Sequence, residues 1–174
     1  MEISELIAGK VIDVPDFPQP GIVFKDLSPL FADGDAFRTV VEAVVEHHGV
    51  DSFDVVAGIE ARGFLVAAGL AYATGTGVVP IRKAGKLPRR TIAASYALEY
   101  GSATLEVHVD AFEPGQRVLV VDDVLATGGT AEAGLALVER GGGVVAGFSV
   151  LLELGFLSGR GRLAPRSVHA LLTV

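Results

Sequence analysis

The sequence predicts an α/β protein in which a mostly parallel sheet is flanked by helices, and three observations point to this class. Apolar runs of strand length alternate along the chain with runs that have helical spacing. Hydrophobic residues make up 50% of the 174 positions, which is enough for a sizeable core in one domain. One apolar strand, Val118–Val121, leads through a short loop into a helix, as in proteins that bind ligands at the carboxyl end of such a sheet.

The N-terminal part of the chain is predicted to contain two helices joined by an irregular connection. Ile3–Ala8 has the pattern of a short helix. Prolines and a glycine within Val14–Phe24 break regular structure there. Asp35–His48 carries apolar residues at helical spacing, and either Asp33 or Asp35 can cap its N-terminus.

The middle of the chain is predicted to form strand Asp54–Gly58, helix Arg62–Ala73 and strand Val78–Arg82. Gly63–Ile81 carries no charge over about the length of a membrane span. Because a Thr/Gly turn and a proline interrupt this stretch, we expect a buried helix, a turn and a strand there, and no membrane partner.

The C-terminal part is predicted to begin with a basic loop and a hairpin. The loop is Lys83–Arg90, and Ala93–Leu98 and Ala103–Val109 are expected to pair around the Glu99–Gly101 turn. The remaining elements are strand Val118–Val121, helix Gly129–Arg140, strand Val144–Leu152 and strand Ser167–Leu172. This alternation is typical of a parallel sheet covered on both faces.

The composition argues against several classes of protein. The chain has 14 basic and 21 acidic residues and a net charge of −7, which argues against nucleic acid as a partner. Without cysteine it can have no disulfide framework and no thiol nucleophile, which fits a reducing, cytoplasmic location. The acidic N-terminal segment does not have the pattern of a signal peptide.

The four histidines, His47, His48, His108 and His169, show no spacing typical of metal ligands. His47 and His48 fall at the end of a predicted helix, where a cation suits the helix dipole. His108 is expected to be an ordinary hairpin residue.

The segment Val118–Thr130 carries the strongest chemical signal in the sequence. Two carboxylates, Asp122 and Asp123, follow the apolar strand, and a Thr/Gly loop then leads into a helix. Backbone N–H groups and hydroxyls at such a loop suit an anion. Because the carboxylates would repel a phosphate, they need sugar hydroxyls or a magnesium ion as partners. The pattern therefore favours a phosphorylated sugar, and it is neither a Walker A loop nor a G-x-G-x-x-G fingerprint.

This segment resembles the phosphoribosyl-pyrophosphate (PRPP) binding motif of the type I phosphoribosyltransferases. The runs that resemble the adenine phosphoribosyltransferases within that family are Asp16–Asp26, Gly58–Phe64, Arg82–Pro88 and Ser95–Gly101. The resemblance extends from about Asp16 to Arg162. The chain departs from the family at Ala61, where many members have serine, and at Arg162, where lysine is common.

The resemblance implies a type I phosphoribosyltransferase fold over residues 1–174. A small N-terminal hood is expected over about residues 1–34, and a flexible catalytic loop, the hairpin lid, over about residues 83–107. An unusual peptide, cis or otherwise strained, is expected between Glu60 and Ala61.

The implied activity is transfer of the 5-phosphoribosyl group from PRPP to adenine, giving AMP and pyrophosphate in purine salvage. The implied cofactor is Mg²⁺, held mainly through PRPP and water with no direct protein ligand, and the implied assembly is a homodimer. Two alternatives stay open: a phosphoribosyltransferase for another nucleobase, and a non-catalytic regulator of the same fold that senses PRPP.

The resemblance also assigns roles in binding PRPP. Asp122 and Asp123 would hold the ribose hydroxyls, directly or through magnesium-bound water. The loop that would cradle the 5′-phosphate comprises Ala126, Thr127, Gly128, Gly129 and Thr130. The cations that would face pyrophosphate are Arg62, Arg82, Lys83 and Lys86, of which the last three could also be an ordinary solvated loop.

For the base, main-chain groups of Val23 and Lys25 would read the adenine edge, and Phe24 would stack on the ring. Leu157 would close the other side of the base. Glu99, either a solubilising charge or a lid residue, would approach the base at N7. The residues expected to be catalytic are Glu99, Arg62, Asp122 and Asp123.

We predict that Asp122→Asn and Asp123→Asn each lower kcat/KM for PRPP by roughly 30- to 1000-fold, or about 2–4 kcal/mol, since each removes a charged contact to the sugar. PRPP kinetics and Tm should be measured on the same samples. A lower Tm with near-normal kinetics would instead identify the aspartates as structural.

Overall fold

The backbone forms a seven-stranded sheet with helices on both faces, in a computed structural model that describes residues 1–98 and 101–174. The strands are β1 (Ile12–Pro15), β2 (Val23–Asp26), β3 (Val55–Ile59), β4 (Gly77–Lys83), β5 (Thr91–Ala97), β6 (Ser102–His108), β7 (Arg117–Leu125), β8 (Val144–Glu153) and β9 (Val168–Thr173). The helices are α1 (Ile3–Ala8), α2 (Ser28–Ala32), α3 (Gly34–His48), α4 (Gly63–Thr74), α5 (Gly129–Arg140) and α6 (Gly159–Leu163), with a 3₁₀ turn at Gly155–Leu157.

The main sheet has the strand order β5-β6-β4-β3-β7-β8-β9. The five strands from β4 to β9 in this order are parallel, whereas β6 runs antiparallel to β4 and β5 antiparallel to β6. β3 and β7 lie at the centre because their apolar runs suit burial on both faces. The mostly parallel α/β class predicted from the sequence is confirmed.

Two apolar cores lie on the two sides of this sheet. One packs α1 to α4 against the sheet and includes Val40, Leu70 and Val121. The other packs α5 against the opposite face and includes Leu105 of β6 and Leu135 of α5. The central strands β3 and β7 are therefore covered by apolar side chains on both faces. None of the helices in residues 1–98 and 101–174 is long and apolar enough to cross a membrane.

The predicted helices and strands are found with small changes of boundary, but the irregular connection is shorter than expected. β1 and β2 pair antiparallel across it, with Val14 opposite Phe24. Within the predicted connection, irregular structure is therefore confined to Asp16–Ile22, because prolines and a glycine cluster at the turn between the two strands. The short helices α2 and α6 were not predicted, since neither has enough residues to show a helical repeat.

The central strand β7 is longer than predicted, and it contains Asp122 and Asp123 rather than ending before them. The reason is that its two neighbours differ in length. Pairing with β3 stops at Val121, whereas pairing with β8 continues to Leu125. The two carboxylates therefore lie where one side of the strand is open.

We predict that Asp33→Ala lowers Tm by about 2–4 °C without changing kinetics, because Asp33 caps α3. Its carboxylate accepts hydrogen bonds from the N–H groups of Asp35 and Ala36, at 3.1 and 3.0 Å. The matched control is Asp35→Ala, which removes an exposed carboxylate from the same helix end. Equal Tm values for the two variants would contradict the capping role.

Candidate active site

A cleft of about 960 Å³ opens at the carboxyl ends of the central strands. Of the residues proposed from sequence, those that line it are Val23, Phe24, Lys25, Arg62, Lys83, Asp122, Asp123, Ala126, Thr127, Gly128, Thr130 and Leu157. Arg82, Lys86 and Gly129 lie outside the lining. Glu99 falls outside the described residues.

An ion pair between Arg62 and Asp123 joins two sides of this cleft. Arg62 immediately precedes α4, and its Nε donates to Asp123 Oδ2. Asp123 is only 3% exposed, and its other oxygen accepts the N–H of Val124 at 2.9 Å. The Arg62 guanidinium carbon also lies 4.9 Å from the ring centre of Phe24. One arginine thus contacts both the central strand and the N-terminal strap, β1 and β2.

Asp122 has a different environment. Burial, and then the charge of Asp123, raise the pKa of the Asp122 carboxyl well above its usual range. Its Oδ1 accepts the N–H of Asp123 at 2.8 Å. α4 approaches this carboxylate closely because position 63 is glycine: a Cβ at Gly63 would lie 3.0 Å from Asp122 Oδ1. No role for this glycine was predicted from the sequence.

The Thr/Gly loop turns into α5 at Gly128, which has a left-handed φ of 90°. Its backbone lies against the start of α6, since a Cβ at Gly128 would lie 2.7 Å from the Gly159 carbonyl oxygen. A Cβ at Gly159 would lie 2.3 Å from the carbonyl oxygen of Ala126. The loop is therefore supported by a glycine thirty-one positions away that the sequence analysis missed.

The segment that carries Gly159 is itself anchored to the sheet. Arg160 donates to both oxygens of Glu153, at 3.0 and 2.5 Å. Glu153 ends β8 and is 4% exposed, and the arginine holds the pKa of this carboxyl below its usual range. The pair fixes α6 beside the loop.

The basic loop is organised by a second acid that the sequence analysis missed, Glu60. Arg82 Nε and Lys86 Nζ donate to its two oxygens at 3.0 and 2.5 Å. Although burial opposes ionisation, these hydrogen bonds hold the pKa of the Glu60 carboxyl below its usual range. Lys83 alone among the three predicted loop cations lines the cleft. The peptide between Glu60 and Ala61 is cis, as predicted.

Apolar side chains from two separate segments also line the cleft. Val23 and Phe24 come from β2, and Leu157 with Phe156 comes from the 3₁₀ turn. Phe156 is 74% exposed at the mouth of the cleft. The cleft therefore offers apolar side chains as well as charged groups to a ligand.

The parallel sheet, the carboxylate pair and the Thr/Gly loop define a protein that handles a phosphorylated sugar. Residues 33–166 match the family model described as phosphoribosyl transferase domain. The adenine phosphoribosyltransferase of Salinispora tropica is 74% identical over 99% of this chain and 92% of its own length. That of Thermobifida fusca is 57% identical over 99% of this chain and 98% of its own.

A solved structure agrees with these relatives. The adenine phosphoribosyltransferase of Rhodothermus marinus superposes with a TM-score of 0.94 at 49% identity, over 99% of this chain and 98% of that one. The chain therefore belongs to the adenine phosphoribosyltransferases of the phosphoribosyltransferase family.

We predict that Gly159→Ala lowers kcat/KM for PRPP by about 100-fold, because its methyl group would displace the Thr/Gly loop. The control is Gly161→Ala in the same helix, where an added Cβ meets nothing within 4 Å. Steady-state kinetics with PRPP as the varied substrate measure the effect. Similar kinetics for the two variants would show that the loop does not depend on this contact.

Proposed function

We propose that the chain transfers the 5-phosphoribosyl group from PRPP to adenine, forming AMP and pyrophosphate, and that the cleft is where this transfer occurs. The observation that carries the proposal is that the Thr/Gly loop, a carboxylate pair and the apolar side chains of Val23, Phe24, Phe156 and Leu157 line one cleft. Relatives that carry the adenine phosphoribosyltransferase name support it. A yeast homologue, from Saccharomyces cerevisiae, was solved with adenine; it is 37% identical, with a TM-score of 0.92 over 98% of both chains.

The 5′-phosphate is assigned to the loop Ala126–Thr130. Its N–H groups stand at the N-terminus of α5, where a helix favours an anion. Thr127 is exposed and Thr130 half-buried, so both hydroxyls are available to phosphate oxygens. Gly129, the first residue of α5, would contribute its backbone N–H.

The ribose hydroxyls are assigned to Asp122 and Asp123. Bond breaking at C1′ ahead of bond formation to the base leaves an oxocarbenium-like sugar, which two nearby carboxylates stabilise. Because Asp123 already accepts from Arg62 and Val124, Asp122 has the greater capacity to accept from the sugar. Hydroxyl donors or a hydrated cation beside Asp122 would favour its ionised form.

Pyrophosphate is assigned to Arg62, Lys83 and the Ala61 backbone, with Arg82 and Lys86 beside them. The donor set fits Mg²⁺ held by PRPP oxygens and water, since the hydrogen bonds to Asp123 leave Asp122 to accept from metal-bound water. When bound, the ion would offset charge on the departing pyrophosphate. Arg62 and Lys83 orient that group from the protein side.

Adenine is assigned to the apolar side chains that line the cleft. Phe24 stacks on the ring, backbone groups of Val23 and Lys25 read its edge, and Leu157 covers the opposite face. The lid is residues 83–107, and Glu99 on it acts at N7 of the base. Closure of the lid would exclude water, which otherwise hydrolyses the activated sugar.

A homodimer in the cytoplasm completes the proposal. α4 contains no charged residue, yet Leu65 and Tyr72 on it are 50% and 92% exposed. A helix that is apolar all round is normally buried, so this outer face suits a second copy of the chain. The absence of cysteine supports a reducing compartment.

The test is pyrophosphate release from PRPP and Mg²⁺ with adenine, guanine, hypoxanthine, xanthine and uracil. We expect kcat/KM for adenine to exceed that for the others by about 100-fold or more, because a slot that hydrogen-bonds one base leaves polar groups unpaired with another. We also expect activity to disappear with EDTA and return with Mg²⁺.

Three outcomes would contradict parts of this proposal. Preference for another base would identify a sister enzyme. PRPP binding without turnover of any base would identify a regulator. Full turnover after exhaustive chelation would exclude the metal requirement.

A further inference from the structure

Two adjacent histidines of α3 and a third from the distant strand β9 meet on the side of the sheet that carries α3. His47 and His48 lie in the last turn of α3, and His169 lies on β9. Ring nitrogens of the three lie within 4.8 Å of one another. The reaction does not use this cluster, because none of its members lines the cleft.

A buried hydroxyl holds two of these rings in place. Ser149 on β8 is 1% exposed, and its Oγ lies 2.7 Å from His48 Nε2 and 3.0 Å from His169 Nδ1. The hydroxyl can donate to one ring and accept from the other. Outer hydrogen bonds of this kind orient histidines that bind metals.

The third ring is held differently. His47 stacks on His169 with ring centres 3.6 Å apart and an angle of 5° between the planes. A metal bond needs the nitrogen lone pair, which lies in the ring plane, so stacked rings cannot both point at one ion. His47 is exposed at a helix end, and rotation of its side chain would turn a nitrogen toward the other two.

The charges around the cluster also suit a cation. Arg160 donates to the carbonyl oxygen of Val168, next to His169, but its charge is paired with Glu153. The C-terminus of α3 adds partial negative charge.

We propose that His47, His48 and His169 bind one divalent transition-metal ion, with Zn²⁺ as the representative, and so fasten the end of α3 to β9. Zn–N bonds of about 2.0–2.1 Å at tetrahedral angles place nitrogens about 3.3 Å apart. To reach that spacing, His47 must leave its stack on His169 and turn a nitrogen toward the shared ion. Imidazole nitrogens select zinc, nickel or copper, whereas magnesium prefers oxygen ligands. This site is therefore chemically separate from the proposed magnesium requirement of the reaction.

The test is calorimetric titration of the chelator-treated, full-length protein with ZnCl₂, with MgCl₂ in a parallel run. We expect saturable zinc binding at one ion per chain, no magnesium binding at the cluster, and a rise in Tm with zinc. His47→Gln, at an exposed position, should weaken zinc binding by at least about tenfold and abolish the rise in Tm. His169→Gln is the second variant and should do the same.

The matched control is His108→Gln, which removes the fourth histidine and leaves the cluster intact. It should bind zinc as the unmodified protein does. Melting curves in EDTA establish that each variant is folded before titration. The proposal would be overturned by an absence of saturable zinc binding, or by His47→Gln and His169→Gln variants that bind zinc as tightly as the unmodified protein, because zinc would then bind elsewhere or not at all.

Discussion

The ion pair between Arg62 and Asp123 is the contact on which the rest of the cleft depends. A carboxylate as buried as Asp123 is costly without a counter-charge, so its position requires the guanidinium. Arg62 comes from the connection after β3, and its other face covers Phe24 of the strap. The pair therefore sets the spacing between the segments assigned to pyrophosphate, ribose and base.

Close backbone approaches provide the second constraint. Gly63 brings α4 against Asp122, and Gly159 brings α6 against the Thr/Gly loop. At both positions any larger residue would meet backbone or carboxylate atoms rather than a flexible side-chain end. The geometry of the Thr/Gly loop thus depends on the absence of a side chain at Gly159, as well as on the residues of the loop itself.

This dependence explains which features could be predicted from the sequence. Central strands, amphipathic helices and the Val118–Thr130 strand–loop–helix motif are local patterns, and each could be recognised in the sequence alone. The contact of Gly159 with the Thr/Gly loop and the histidine cluster could not be predicted, because both join residues that are distant in sequence. His48 and Ser149, for example, are 101 positions apart and meet only because of the order of the strands. Glu60 lay inside a recognised motif, but its two cations became evident only when β4 and the basic loop were placed beside it.

Three carboxylates near the cleft, each with a side chain no more than 5% exposed, follow a common arrangement. Glu60 follows β3, Asp123 lies in β7 and Glu153 ends β8, so they mark the carboxyl ends of three adjacent strands. Each is paired with at least one cation from a nearby loop or short helix. Removing the cations would leave the buried carboxylate without a counter-charge, so these pairs fix the loops to the sheet.

These pairs also shape the electrostatics of the cleft. Since each acid is balanced by a cation, the scaffold adds little net charge where a polyanionic substrate must bind. Within the described part of the chain, Asp122 and Lys83 line the cleft without an ion-pair partner of their own. A carboxylate suited to sugar hydroxyls or hydrated cations and an ammonium suited to phosphate oxygens are thus left to respond to the substrate, while the paired charges hold the walls.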